Sequence, residues 1–418
     1  MIDSYKVIRD PIHGNIKVEG MFLELLETPE LQRLYNIKQL GFAHLVFPGA
    51  HHTRLEHSLG TYHMASRCAQ ALDLDKTEKE IIECAALLHD IGHGPFSHTL
   101  ESILRENIHV DHVGLTEKII FGDYKIFDEN EKKYLESSSV SDVLNKYDTN
   151  KEEVSDIIKG KTYKKLYLSQ LLNSTIDVDQ LDYLARDAYY TGVAYGMIDT
   201  ERFLQTLVIN DGNLAITRKG VGVVESILLA RTLMYSSVYF HKTARIAELM
   251  LSRAIEMLPK GDALELFKMT DSELMGNAKK LGDFQYEIVT RLKYRKLFKQ
   301  VYSASKLDLD EQKLGVIRKL ENHEIRREKE KEIEDALKIP RGHIIIDVPR
   351  QDVHLSEPRI DQTNIKVVDQ NKSWSFDNLT PIAKAIKEKS IPEWTIMIIA
   401  DEKFRDIITK NAEKLLFN

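Results

Sequence analysis

Cysteine is nearly absent from this sequence. The two that occur in 418 residues, Cys68 and Cys84, exclude a disulfide framework, and their apolar neighbours at helical spacing suit buried, reduced thiols. Proline (10) and glycine (20) are too few for long disordered or low-complexity tracts. An excess of positive charge is also missing: 58 Lys plus Arg against 65 Asp plus Glu leave a net charge of −7, so no global attraction to nucleic acid or an anionic membrane is expected. No apolar run approaches the roughly 18 residues of a membrane span, and MIDSYKVIRD lacks the apolar core of a signal peptide. A cytoplasmic protein is expected.

What is present is helix. The first twenty residues alternate around Pro11 to Asn15 as a short hairpin would. Helices are then predicted at about 55–72, at 77–90 with Thr77 and Glu80 as its capping box, and at 97–106, 111–121, 129–147, 151–159, 177–191 and 219–258, with a hairpin over 207–217 turning on Asn210-Asp211-Gly212-Asn213. Beyond about residue 295, β-rich runs at 343–348, 364–368 and 394–400 alternate with helices near 380–388 and 402–416 and a charge-dense helix at 321–338, which reads as a solvated face. The fold class expected is mainly α, a helical core over 1–260 and a smaller α+β lobe over 261–418 that serves assembly or regulation.

The histidines carry the chemistry. Of 15, ten fall between His44 and His112, where an even spread would place two or three. Imidazole suits divalent first-row metals and proton transfer near neutral pH, which points to a metal site. In His89-Asp90-Ile91-Gly92-His93-Gly94-Pro95-Phe96-Ser97-His98 the glycines and proline end a helix and free its last turn to aim His89 and Asp90 at one ion. His57 offers another imidazole from the preceding helix, and Arg54, nearly one turn earlier, a fork for phosphate. The acids of Asp177-Val178-Asp179-Gln180-Leu181-Asp182 open a further helix. Capping and the helix dipole account for Asp177 and Asp182 by themselves, whereas the His-Asp element favours Asp179 as a ligand.

His57, His89-Asp90 and Asp179 resemble the ligand pattern of the HD superfamily of metal phosphohydrolases. The strings DPIHG (10–14), QRL (32–34), IKQLG (37–41), VFPGA (46–50), RLEHSLG (54–60) and HDIGHGPFSH (89–98) resemble its deoxynucleoside triphosphate triphosphohydrolase branch over about residues 1–260. That resemblance implies a divalent metal (Fe, Mn, Mg, Ni or Zn) on His57, His89, Asp90 and Asp179. It implies active-site roles for His93, His98 and His112, with His98 as general acid for the departing nucleoside oxygen; Asp177 is carried with these catalytic candidates. It further implies triphosphate contacts from Arg54 and Arg231, and a sugar pocket of Gln39, Leu40, Tyr183, Asp187 and Tyr239, in which Leu40 and Tyr239 crowd a ribose 2′-hydroxyl. Two positions depart from the mammalian member: Gln180 replaces a phosphate-binding lysine, and Tyr35 an arginine of its nucleotide-activation site. The expected reaction is water attack on the α-phosphorus of a dNTP, in a homo-oligomer, dimer or tetramer. Two alternatives stand beside it: an HD phosphohydrolase for nucleoside monophosphates or phosphodiesters, and a nucleotide-sensing or single-strand-binding regulator with a vestigial metal site.

Overall fold

A computed structural model describes residues 5–97, 111–127, 129–135, 138–161, 165–258, 263–349, 365–370, 372–382, 385 and 394–417. The protein is mainly α with a C-terminal α+β part, and its chain forms two compact units. The first comprises 1–234, 262–272 and 358–389; the second comprises 235–261, 273–357 and 390–418.

The first unit opens with the antiparallel hairpin Tyr5–Asp10 and Gly14–Glu19. Its tight turn is held by Asp10, whose Oδ1 accepts from the backbone N–H of Ile12 (2.9 Å) and His13 (2.8 Å). Helix Arg54–Ala71 then packs along helix Lys76–Leu88 and across helix Val178–Thr191. Leu55, Met64, Ile82, Leu88 and Leu184 are fully enclosed there, which fixes the three helices that supply the histidines and acids. Thr53 caps the first helix through a capping box with Glu56. The second begins two residues earlier than expected, because Asp75 with Glu78, rather than Thr77 with Glu80, forms its capping box.

Two long predicted helices are interrupted for local reasons. Ser139 starts a fresh helix by capping Asp142, so 129–147 becomes Glu129–Lys132 and Val140–Lys146. The stretch 219–258 divides at His241, whose extended backbone and Nδ1, accepting from Thr243 N–H at 3.2 Å, open the helix Lys242–Glu256. Among the described residues one helix, Arg218–Tyr239, is long and apolar enough to cross a membrane by length and composition alone, and half of its most apolar window is buried inside the protein. The 207–217 hairpin forms with Asp211 and Gly212 both at positive φ, as an Asp-Gly turn requires, and adds Lys366–Asp369 and Lys372–Ser375 to make four strands. The helices expected at 97–106 and over most of 380–388 lie outside the described residues. Cys68 and Cys84 are buried and unbridged.

In the second unit, strand Ile396–Ala400 lies between Lys299–Ala304 and Ile344–Asp347, antiparallel to both. Helices Glu311–Leu320, His323–Leu337 and Arg405–Phe417 supply Ile317, Leu320, Ile333, Ile408, Ala412 and Leu416 to its core. The charge-dense helix is therefore not simply a solvated face. Its Glu330 and Glu334 are buried and accept from the N–H groups of Ile346 (2.7 Å), and of Gly342 (2.8 Å) and Ile344 (3.3 Å), so they satisfy an edge strand that would otherwise carry bare donors. Glu330 also accepts from Arg253 at 2.5 Å and Arg327 at 2.8 Å. Glu330→Ala would leave the buried Arg253 short of its counter-charge. We expect a loss of about 3–5 kcal/mol of stability, read as a lowered urea midpoint, while Glu328→Ala on the same helix shifts it little.

Candidate metal centre

His57 sits in the first turn of its helix, His89 and Asp90 just past the end of the next, and Asp179 in the first turn of Val178–Thr191. One ligating atom each from His57, His89 and Asp90 falls within 4.8 Å of the others. Asp179 Oδ1 joins them, 3.0 Å from His57 Nε2 and 3.8 Å from His89 Nε2, and Asp90 Oδ1 lies 3.3 Å from His89 Nε2. The ring orientations are set from behind. His57 Nδ1 donates to Asp182 Oδ2 at 2.7 Å and His89 Nδ1 to the Ala86 carbonyl at 2.8 Å, so both Nε2 atoms point at the centre, where a cation would displace the proton that His57 otherwise shares with Asp179. His89 Nε2 is buried with no hydrogen-bond partner, and a cation at the centre would satisfy it. Two imidazoles and two carboxylates converging this way fit a divalent metal.

The electrostatics agree. Burial works against a charge on His57, yet its hydrogen bonds to Asp179 and Asp182 and their negative charges outweigh burial and carry its imidazolium up to about 10. A surround that binds a proton so firmly is an equally good well for a cation. Asp90 is buried, which alone would raise its pKa, but His89, His93 and Arg54 hold it well below the usual carboxylate range. Burial, then Arg54 and His112, push the pKa of His93 well below that of free histidine. His93 is therefore a neutral base 3.3 Å from Asp90, its ring stacked on His112 at 4.0 Å between centroids.

The loop after Asp90 is pinned by Arg33, which belongs to the QRL string but has no role assigned from sequence, and by Asp271, which the sequence did not single out. Arg33 donates to the carbonyls of Ile91 (3.1 Å), His93 (2.7 Å), Phe267 (2.9 Å) and Met269 (3.3 Å). Asp271 accepts from Phe96 N–H, and Phe96 holds a positive φ of 45° while stacking on Phe42. His98 lies outside the described residues.

Around the centre, Arg54 is buried and donates to Asp90 Oδ2 (2.6 Å) and Ser97 Oγ (3.0 Å). Arg231 donates to Gln180 Oε1 at 3.1 Å, and Gln180 Nε2 to Asp177 Oδ2 at 3.2 Å. Asp177 also accepts from Gln180 N–H as the cap of its helix, the structural role that its position suggested. Asp187 Oδ1 accepts from His52 Nε2 at 2.7 Å, and His52 stacks on Tyr190. The Tyr183 ring stands edge-on to His57 at 6.5 Å. Gln39 donates its N–H to His52 O and precedes half-buried Leu40, so the sugar-pocket strings meet next to the Asp187 end of the helix. Tyr239 belongs to the second unit, where its ring meets Tyr235 edge-on.

A second group, Glu287, His343 and Asp401, lies in the second unit. There Arg291 bridges the carboxylates, Nε to Glu287 at 2.7 Å and Nη2 to Asp401 at 2.5 Å, and Lys403 Nζ lies 3.2 Å from Asp401, so two side-chain cations balance the two acids without a metal ion.

Residues 54–187 match the HD domain family and residues 198–417 the HD associated region. An uncharacterized protein of Methanocaldococcus jannaschii is 32% identical over 416 residues, 98% of this chain and 82% of that one. The human deoxynucleoside triphosphate triphosphohydrolase SAMHD1 is 30% identical over 359 residues, 72% of this chain and 55% of that protein. YwfO of Bacillus subtilis, 39% identical over 261 residues, covers 61% of this chain, which in turn covers 56% of it. The chain thus spans little more than half the length of these last two relatives. Among solved structures, a hypothetical protein from Aquifex aeolicus superposes with a TM-score of 0.71 at 28% identity over 98% of this chain and all of that one. A phosphohydrolase from Bacteroides thetaiotaomicron gives 0.68 at 25% identity over 96% of this chain and all of that one. The chain belongs to the HD family, as a metal-dependent hydrolase of the HD phosphohydrolase type.

His89→Ala removes a candidate ligand whose ring is otherwise held by a backbone carbonyl, that of Ala86. The variant should melt close to the parent and lose Mn2+ from the protein on dialysis, measured by elemental analysis; full retention of Mn2+ would remove His89 from the ligand set.

Proposed function

We propose that this chain is a deoxynucleoside triphosphate triphosphohydrolase, in which water attacks the α-phosphorus and triphosphate leaves intact alongside the deoxynucleoside. The observation that carries the reading is one face of the helix Val178–Thr191. Asp179, Tyr183 and Asp187 recur every four residues and span about 12 Å along the axis. A metal ligand, an aromatic ring and a buried carboxylate acceptor are laid out over the length of a nucleoside and its α-phosphate, in that order.

His57, His89, Asp90 and Asp179 would hold a divalent cation, which would supply Lewis-acid polarisation of a phosphoryl oxygen and a lowered pKa for water. The remaining work falls to the chain. His93, neutral and buried, accepts or passes a proton beside Asp90, with His112 stacked behind it. Asp187, oriented by His52, is the acceptor for a 3′-hydroxyl, and Tyr183 and Leu40 shape the sugar pocket around it. His98 remains our proposed general acid for the 5′-oxygen. Asp177 acts through the cap that it forms. The family resemblance and the human relative's triphosphohydrolase name support the substrate class.

A second reading has a specific observation behind it. Arg54 is committed to Asp90 and Arg231 to Gln180, an arrangement better suited to a shorter phosphate chain, such as a nucleoside monophosphate, unless substrate redirects both arginines. Incubation with each dNTP, NTP and dNMP and Mn2+ separates the two. We expect inorganic triphosphate and deoxynucleoside in equal amounts from dNTPs, and ribonucleotides disfavoured by up to about 100-fold, the scale on which a shaped apolar pocket rejects one hydroxyl. Orthophosphate from dNMPs, with dNTPs untouched, would sink the first reading and support the second.

A further inference from the structure

Asp182 is a buried carboxylate whose two oxygens each take two donors. Oδ1 accepts from His13 Nε2 (2.7 Å) and Arg186 Nη2 (2.9 Å); Oδ2 accepts from His57 Nδ1 (2.7 Å) and Arg186 Nε (2.9 Å). Four donors fill the four lone-pair positions of a carboxylate, so its orientation is fully determined. Arg186 and Asp182 are fully enclosed, and Arg186 Nη1 reaches on to Asp10 Oδ2 at 2.8 Å. Asp10 is also the residue whose other oxygen ties the hairpin turn at Ile12 and His13. A continuous chain of charge-assisted hydrogen bonds therefore runs from the N-terminal turn to the back of a metal ligand: Asp10, Arg186, Asp182, His57.

Gly60 shows how closely the carboxylate is seated. A Cβ built there would lie 1.8 Å from Asp182 Oδ1 and 2.5 Å from Arg186 Nη2, on the same helix that carries His57. Only a glycine one turn from the ligand lets the acid approach the ring at hydrogen-bond distance.

We propose that Asp182 is a positioning residue for the metal centre, and that His13 and Asp10 make the N-terminal hairpin part of that centre by fixing the carboxylate that fixes His57. The proposal rests on the metal-binding reading of His57, His89, Asp90 and Asp179. It adds that the tautomer and angle of His57 are set from residues 169 positions apart in the chain. The removal of such an outer partner characteristically costs about 10- to 100-fold in metal affinity.

The test titrates Co2+ into the full chain and reads its visible absorption together with the dissociation constant. Asp182→Asn keeps the shape but turns two acceptor positions into donors, and should weaken Co2+ roughly 10- to 100-fold. Because that change also strips the buried Arg186 of a counter-charge and could unfold the chain, His13→Gln and Gly60→Ala are carried beside it. His13→Gln leaves Arg186 paired with two carboxylates, whereas Gly60→Ala pushes Asp182 Oδ1 from its seat without removing a charge; each should weaken Co2+ several-fold and shift the visible bands while far-ultraviolet circular dichroism stays that of the parent. A purely structural role would lower the melting temperature and leave the bands and affinity of the folded protein unchanged; that result overturns the proposal. If His89→Ala abolishes Co2+ binding while folded His13→Gln and Gly60→Ala bind as the parent does, the metal centre stands and the positioning role falls. If the parent itself binds no Co2+, both fall.

Discussion

Everything in the site depends on one imidazole held between two carboxylates. His57 presents Nδ1 to Asp182 and Nε2 to Asp179, and those acids stand three residues apart on a single helix. Such a pair presents acceptors on two sides of a ring only if the ring's own helix crosses close by, which the packing of Arg54–Ala71 against Val178–Thr191 and the bare Cα of Gly60 permit. Once His57 is fixed, the end of Lys76–Leu88 can bring His89 and Asp90 to the same point. The costs of burying so much charge are met locally, since Asp90, Asp177, Asp182 and Asp187 each have a cationic, imidazole or N–H partner, and the unpartnered His89 Nε2 faces the place where a cation belongs.

The sequence disclosed the ligands more readily than their supports. His57, His89 and Asp90 stood out because histidine is crowded into one stretch and because glycine and proline follow the His-Asp pair at once, whereas Asp179 was favoured only by its combination with that pair and by the family resemblance. The helices were legible wherever an apolar stripe ran unbroken. Boundaries went astray where a short polar residue outcompeted the stripe, as Asp75, Ser139 and His241 do by offering a side-chain acceptor to the next turn. Charge density on 321–338 pointed to a wet surface, but the partners of Glu330 are a strand and an arginine far away in the chain. Asp182 read as a capping residue, and His13 and His52 were given no role, for the same reason. Their chemistry lies in contacts 135 and 169 residues distant, and a local pattern carries no information on such pairs.

The substrate end is held by weaker constraints than the metal end. Gln180, in the place of a lysine, accepts from Arg231 and donates to Asp177, so it converts what would be a repelling cation into a neutral bridge. This keeps a guanidinium in position but occupies one of its donors. Arg54 is likewise shared between Asp90 and Ser97. On the proposed function a triphosphate would compete with these internal acceptors, exchanging one anion for another at each guanidinium.

The most direct measurement of the central claim is hydrolysis of a dNTP in 18O-labelled water with mass analysis of both products. Water attack at the α-phosphorus with departure of the 5′-oxygen puts one 18O in the triphosphate and none in the deoxynucleoside, and this is the result the account predicts. Label in orthophosphate, in pyrophosphate, or on the nucleoside's 5′-oxygen would mean that a different bond is broken, and would contradict it.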